Sequence, residues 1–209
     1  MITAATESPG AARHPESAPL HVGWLNLHGR TRDAARRLRA AESFMFPDDP
    51  RKMPTRCRLT TLLREAYDVK PAERRDVSFA GGTLPTYCFA AEAARGTIVA
   101  FGGFDSYIEE FLPILLGLRD CGWTVIAFEG PGQGAVLEDQ RMTMTPEWHG
   151  PVAAVLDAFA LDDVTLVGIS LGGCLAIRAA ARGRRRPLCT ARSTLGSSAH
   201  AERGAPFLP

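Results

Sequence analysis

The stretch that most constrains this chain is "VTLVGISLGGCLAIRAAAR", residues 164–182. A short apolar run leads into Gly168-Ile169-Ser170-Leu171-Gly172, and apolar residues at helical spacing follow. The run predicts a buried strand, and the later spacing predicts a helix. The chain must reverse direction within the GxSxG unit, so small residues have to flank Ser170. Gly168 and Gly172 meet that need, and Gly173 eases close packing of the helix on a sheet. Strand, GxSxG and helix in this order are the setting of a nucleophile elbow. The helix N-terminus beneath the serine favours developing negative charge. Ser170 is therefore the candidate nucleophile, and the backbone N–H of Leu171 is one candidate oxyanion donor. The plainer alternative is a serine in a glycine-rich turn. The strands and helices that precede the unit favour the elbow.

Those elements begin near residue 75. "DVSFAGGTLPTYCFAA" reads as a hairpin around Gly81-Gly82. "GTIVAFGGFD" is an apolar strand ending in glycines, and "SYIEEFLPILLGLRDCGW" predicts a helix carrying Ile108, Phe111, Ile114, Leu115 and Leu118. "TVIAFEGPGQG" is a strand entering a turn. "TPEWHGPVAAVLDAFALDD" predicts a helix with Thr145 as N-cap and Pro146 at its first position, which Pro151 bends or delays. Apolar strands alternating with helices predict an α/β fold: an N-terminal hairpin, then three parallel strand–helix units. In such a fold the second oxyanion donor comes from the loop after the third strand, Gly102-Gly103-Phe104-Asp105. The N–H of Phe104 is the candidate donor, and Gly103 is a candidate substrate-binding position. Losing one such donor typically costs about 3 kcal/mol of transition-state stabilisation. "GPGQG" does not make GxGxxG, and no helix is expected directly behind it. It reads as a tight loop near the rim rather than a dinucleotide site. Asp105, Glu129 and Glu138 are read either as pocket-lining acids or as solvated loop acids.

Upstream, "TRDAARRLRAAESFMF" (31–46) places Ala34, Leu38, Ala41 and Met45 on one helical face, with Thr31 as N-cap and Pro47 limiting the far end. A second helix is expected near 55–68, with Leu59, Leu62, Leu63 and Ala66 inward. Residues 1–20 carry neither a basic n-region nor an apolar h-region, and their composition reads as disordered. The formal net charge of +1 argues against a nucleic-acid partner, and no apolar run approaches a membrane span. Five scattered cysteines without a CxxC pair indicate neither a zinc site nor a disulfide framework. They read as reduced, small apolar residues of a cytoplasmic protein.

Taken together, "FMFPDDPRKMPTRC", "FAGGTLPTY", "GGFDSYIEEF", "FEGPGQG", "MTPEW" and "GISLGG" resemble the α/β-hydrolase superfamily. Within it they are similar to the group containing 2,6-dihydroxypseudooxynicotine hydrolase and the fungal polyketide-shortening hydrolases. The resemblance covers about residues 24–182. It implies a helical N-terminal segment that packs over the core and helps form the substrate pocket. It implies hydrolysis of an ester, or of a C–C bond beside a ketone, in a small organic substrate. It also implies a Ser, Asp and His mechanism with no metal and no cofactor. Ser170 carries over as nucleophile, and Phe104 and Leu171 as backbone oxyanion donors.

The chain departs from that pattern after Ser170. The acid and then the histidine should follow on later loops. The 39 residues after Ser170 contain no Asp, and their only acid and histidine are Glu202 and His200, in the wrong order. Of the other histidines, His14, His21 and His28 lie near the N-terminus, and His149 falls in the helix before the elbow strand. Serine without a base is a poor nucleophile. After Ile177 there is no Val and no Ile. The sequence therefore reads as a disordered start (1–20), a helical segment (21–72), a truncated α/β-hydrolase core (75–182) and an irregular tail (183–209). Two accounts of the tail stay open. One is a shifted reading frame, which the loss of β-branched residues favours. The other is a short protein that completes its sheet with a partner. The missing half would leave the last parallel strand as an exposed apolar edge open to self-association.

Overall fold

The computed structural model describes residues 30–182, 188–192 and 198–200. The expectations for residues 1–20 and for His14, His21, His28 and Glu202 lie outside the described residues. Two compact units divide between Ala66 and Tyr67, rather than after residue 72.

The first unit contains helices α1 (Thr31–Glu42) and α2 (Lys52–Ala66), which pack together. Ala34, Ala35 and Leu38 of α1 and Leu59, Leu62 and Leu63 of α2 are buried. Helix α1 stops four residues short of residue 46, because the amide and the hydroxyl of Ser43 both donate to the Arg39 carbonyl. Arg30, not Thr31, holds the N-cap position. Glu42 is 1% exposed, and its carboxylate accepts from Arg39 at 2.7 Å and from Lys52 at 2.6 Å. The pairing is what a buried charge requires.

The second unit is built on a sheet of seven strands: β1 (Arg74–Phe79), β2 (Gly82–Phe89), β3 (Thr97–Phe101), β4 (Thr124–Phe128), β5 (Thr165–Ile169), β6 (Leu188–Arg192) and β7 (Ser198–His200). Their order is β1-β2-β4-β3-β5-β6-β7. Strands β1 and β2 form the expected antiparallel hairpin, while β4, β3, β5 and β6 run parallel. Ala80 and Gly81 join the hairpin with φ of 47° and 81°. Two positive φ values in a two-residue loop are the signature of a type I′ turn, whose twist matches the flanking strands. The helices of this unit are α3 (Leu112–Asp120), α4 (Gly134–Gln140), α5 (His149–Ala158) and α6 (Leu171–Arg182). The core joins Val99, Phe101, Ile126, Phe128 and Leu166 of the sheet to Trp148, Val152 and Val155 and to Leu175, Ala176 and Ala179 of α6.

Four expectations need correcting. The helix after β3 is split into a 3-10 turn (Ile108–Phe111) and α3, because Pro113 stands in the first turn of α3, and Ile114 is exposed. Helix α5 begins at His149 rather than Pro146, and the Thr145 hydroxyl instead accepts the Glu147 amide in a local turn. Helix α4 opens directly behind "GPGQG", where none was expected. A seven-residue helix has little stability of its own, so periodicity does not reveal it. Its ends are held from outside: the Glu129 carboxylate accepts the Ala135 amide at 2.7 Å, and the Gln140 side chain exchanges two hydrogen bonds with the Thr83 backbone. Finally, the tail is not wholly irregular. Strand β6 pairs parallel with β5 and antiparallel with β7, so β5 is not an edge. Ladder bonds come from the backbone, and a strand needs no β-branched run once a neighbour offers its free edge.

The cysteine expectation is also revised. Cys57, Cys121 and Cys174 are free and exposed, so they are not packing residues. Half-buried Cys88 is also free, and burial pushes its thiol above the ordinary value.

The hairpin gives a direct test. Ala80 sits in left-handed backbone, which costs a residue with a β-carbon about 1–2 kcal/mol. Replacing Ala80 with Asn creates the Asn-Gly pair that type I′ turns favour. Urea unfolding of Ala80→Asn should show a gain of about 0.5–1 kcal/mol, and a loss of stability would contradict the turn geometry.

Candidate active site

The register brings three strand ends into one row. Phe128 at the end of β4 stands beside Phe101 at the end of β3, and Phe101 stands beside Gly168 of β5. The loops that leave these strands are therefore neighbours at the carboxyl edge of the sheet. The loop after β3 lies between the loop after β4 and the turn that carries Ser170. Ligands of open α/β sheets bind at this edge.

Ser170 is exposed and has φ of 59°. A residue with a side chain pays for this left-handed conformation, which persists only where surrounding contacts enforce it. Here the enforcement is steric. A β-carbon on Gly168 would lie 1.9 Å from the Gly172 carbonyl oxygen, and one on Gly172 would lie 2.5 Å from the Gly102 oxygen. Both positions must be glycine for β5, α6 and the β3 loop to meet. Helix α6 starts at Leu171, and the Gly173 amide donates to the Ser170 carbonyl at 3.0 Å. The Leu171 amide belongs to the first helical turn, whose N–H groups have no partner within the helix.

The loop after β3 touches this turn backbone to backbone. A β-carbon on Gly103 would lie 2.8 Å from the Leu171 nitrogen and 3.0 Å from the Ile169 oxygen. Gly102 and Gly103 are buried, whereas Phe104 is 70% exposed beyond them. Asp105 turns the chain with φ of 52°. Ser170, Leu171 and Gly103 thus come together, with Phe104 next along the chain from Gly103.

The loop after β4 does more than the sequence suggests. Gln133 is 2% exposed. Its Nε2 donates to the Gly102 oxygen at 2.5 Å and to the Gly103 oxygen at 3.1 Å, while its Oε1 accepts the Gly130 amide at 3.0 Å. Glu129 is 3% exposed, and besides Ala135 it accepts the Ile108 amide at 2.9 Å. It is neither a pocket acid nor a solvated one; it ties the segment after β3 to the start of α4. Beneath these loops the rings of Phe101, Phe128 and Trp148 form a cluster with centroids 5.3–6.4 Å apart. Gly130 rests on Trp148, where a β-carbon would lie 2.5 Å from the indole. Sequence reasoning missed Gln133 and the structural part of Glu129. The available signal was two long polar side chains in a segment flanked by glycines and directly after an apolar strand.

The remaining candidates lie elsewhere. Glu138 is half-buried on α4. His149 has its Nδ1 3.4 Å from Glu147, which also pairs with Arg182 at 2.7 Å. His200 is placed in β7, which is described by its backbone alone. Among the described residues no group of three or more His, Cys, Asp or Glu stands together as a metal site, and no helix is long and apolar enough to cross a membrane.

Two substitutions test this geometry. Ser170→Gly should be more stable than Ser170→Ala by about 1 kcal/mol in chemical denaturation, because only Ala retains the left-handed cost. Glu129→Ala should lose roughly 2–4 kcal/mol, since two amides lose a charged acceptor; an unchanged unfolding midpoint would contradict the bridging role.

No family model matches the sequence. Among curated proteins the chain is 34% identical to the alpha/beta hydrolase psoB of Aspergillus fumigatus, over 88% of this chain and 47% of that protein. It is 31% identical to the hydrolyase poxO of Penicillium oxalicum, over 76% of this chain and 45% of that one. Among solved structures, AbyA5 aligns with a TM-score of 0.70 and 20% identity, over 90% of this chain and 54% of that one. The 2,6-dihydroxy-pseudo-oxynicotine hydrolase aligns with a TM-score of 0.58 and 24% identity, over 82% and 52%. The chain spans about half the length of the relatives it matches.

Proposed function

The chain belongs to the α/β-hydrolase superfamily and carries an incomplete form of its fold, and from that premise we propose that Ser170 is the nucleophile of a serine hydrolase. The substrate is a small organic molecule, cleaved at an ester or at a C–C bond beside a ketone. The observation that carries this reading is the conformation of Ser170: exposed, at φ 59°, directly before a helix and between glycines that only this turn requires. Such strain persists only where the surrounding structure enforces it, and at this turn it leaves the Ser170 side chain exposed at the carboxyl edge of the sheet.

In this mechanism the Ser170 hydroxyl adds to the substrate carbonyl and forms a tetrahedral oxyanion. The backbone N–H groups of Leu171 and Phe104 receive that charge. Such donors act strongly because they are oriented before the charge appears. The contact between Gly103 and the Leu171 amide supports the placement, because the β3 loop reaches the elbow with no side chain between them. Collapse of the intermediate breaks the C–O or C–C bond, the leaving group takes up the proton that the Ser170 hydroxyl released, and water then hydrolyses the acyl enzyme to give the free acid and Ser170.

Activation of Ser170 needs an acid and a base, which in this fold stand on loops that follow later strands. No Asp follows it, and His200 is the only histidine after it. A second reading is a non-catalytic remnant or binding module built on the same fold.

A fluorophosphonate probe separates the two. Labelling at Ser170, absent in Ser170→Ala, is expected for a competent nucleophile. The absence of both labelling and p-nitrophenyl ester turnover would leave the remnant reading. Gly103→Ala should slow labelling at least about tenfold, a partial form of the roughly 10²–10³-fold cost of removing an oxyanion donor, because the new methyl would crowd the Leu171 amide.

A further inference from the structure

The geometry points to Gln133 as a positioning residue that holds the Gly103–Phe104 peptide with its N–H turned toward Ser170. This inference rests on the oxyanion role given to Phe104 above and names what keeps that donor in place.

The argument starts from the peptide unit. A trans peptide is planar, and its C=O and N–H point in opposite directions. The oxygen of Gly103 and the N–H of Phe104 belong to one such unit. Gln133 Nε2 holds that oxygen at 3.1 Å, from the side of the β4 loop. The loop after β3 lies between the β4 loop and the elbow, so the N–H of the same unit is turned away from Gln133 and toward Ser170. The same Nε2 also engages the Gly102 oxygen, which fixes the preceding peptide.

Gly102 and Gly103 carry no side chains, and Asp105 beyond them is already in left-handed backbone. A glycine pair permits peptide rotation that other residues resist. Rotation by half a turn would replace the N–H with a carbonyl oxygen, and an oxyanion would then meet a negative dipole. Gln133 is suited to prevent this. It is 2% exposed, and its own orientation is set by the Gly130 amide, which donates to Oε1. A buried carboxamide with both ends engaged has no incentive to turn. A carboxylate at this position would keep the Gly130 bond but lose both donors.

The test uses Gln133→Glu and Gln133→Met in the full chain. Three quantities are measured: thermal midpoint, rate of fluorophosphonate labelling at Ser170, and NMR order parameters of the Gly103 and Phe104 amides. At least one variant should melt within a few degrees of the wild type. In it, labelling should be at least about tenfold slower, a partial form of the roughly 10²–10³-fold cost of removing an oxyanion donor. Its two amides should fall from about 0.85 to below about 0.6 in order parameter, while the β3 and β5 amides stay rigid. Wild-type labelling rates in a folded variant would overturn the inference. Loss of the fold in both variants would overturn it too, because the role would then be structural. If wild-type Ser170 itself does not label, the nucleophile reading fails and the order parameters decide alone: unchanged amides overturn the positioning role, and loosened ones support it.

Discussion

The candidate site depends on one close approach, between the backbone after β3 and the backbone after β5. Phe101 and Gly168 are ladder partners, so the residues that follow them must leave the sheet side by side. Nothing larger than hydrogen fits between. Gly103 abuts the Leu171 amide, and Gly172 abuts the Gly102 carbonyl. The left-handed turn at Ser170, the start of α6 and the position of the β3 loop are three consequences of this contact. A side chain at Gly168, Gly172 or Gly103 would separate the two backbones and dissolve the arrangement.

A second layer of order comes from buried polar side chains. Glu129 and Gln133 leave β4 on the far side of the β3 loop, and each bridges segments that are distant in sequence. In a buried setting these hydrogen bonds are costly to break, because the freed groups find no water. The aromatic cluster of Phe101, Phe128 and Trp148 gives the loops a rigid floor. Apolar packing holds the strand ends in place, and polar bridging sets the loops above them. The proposed oxyanion stabilisation would draw on both, since its strength comes from donors that need not reorganise.

Much of this was legible in the residues. The hairpin, the strands ending at Phe101, Phe128 and Ile169, and the helix after Ser170 follow from apolar runs punctuated by glycine. Ser170, Leu171, Gly103 and Phe104 follow from the elbow and from the strand count before it. Helix α4 was not legible, because its seven residues are held by Glu129 and Gln140 rather than by their own periodicity. Strands β6 and β7 were not legible either, because backbone pairing can recruit residues that lack a β-branched pattern. Glu129 looked like an ordinary loop acid until the Ile108 and Ala135 amides were seen to converge on it.

By itself the sequence determined which residue is offered as nucleophile and that the turn around it must be glycine, since sterics within five consecutive residues decide both. Only the tertiary structure decided what stands behind the oxyanion loop. Gln133 lies thirty residues from the Gly103 carbonyl it engages, and no local pattern encodes such a pairing. The parallel order of β4, β3 and β5 creates it by setting three strand ends in one row, so that a side chain leaving the first reaches the backbone leaving the second.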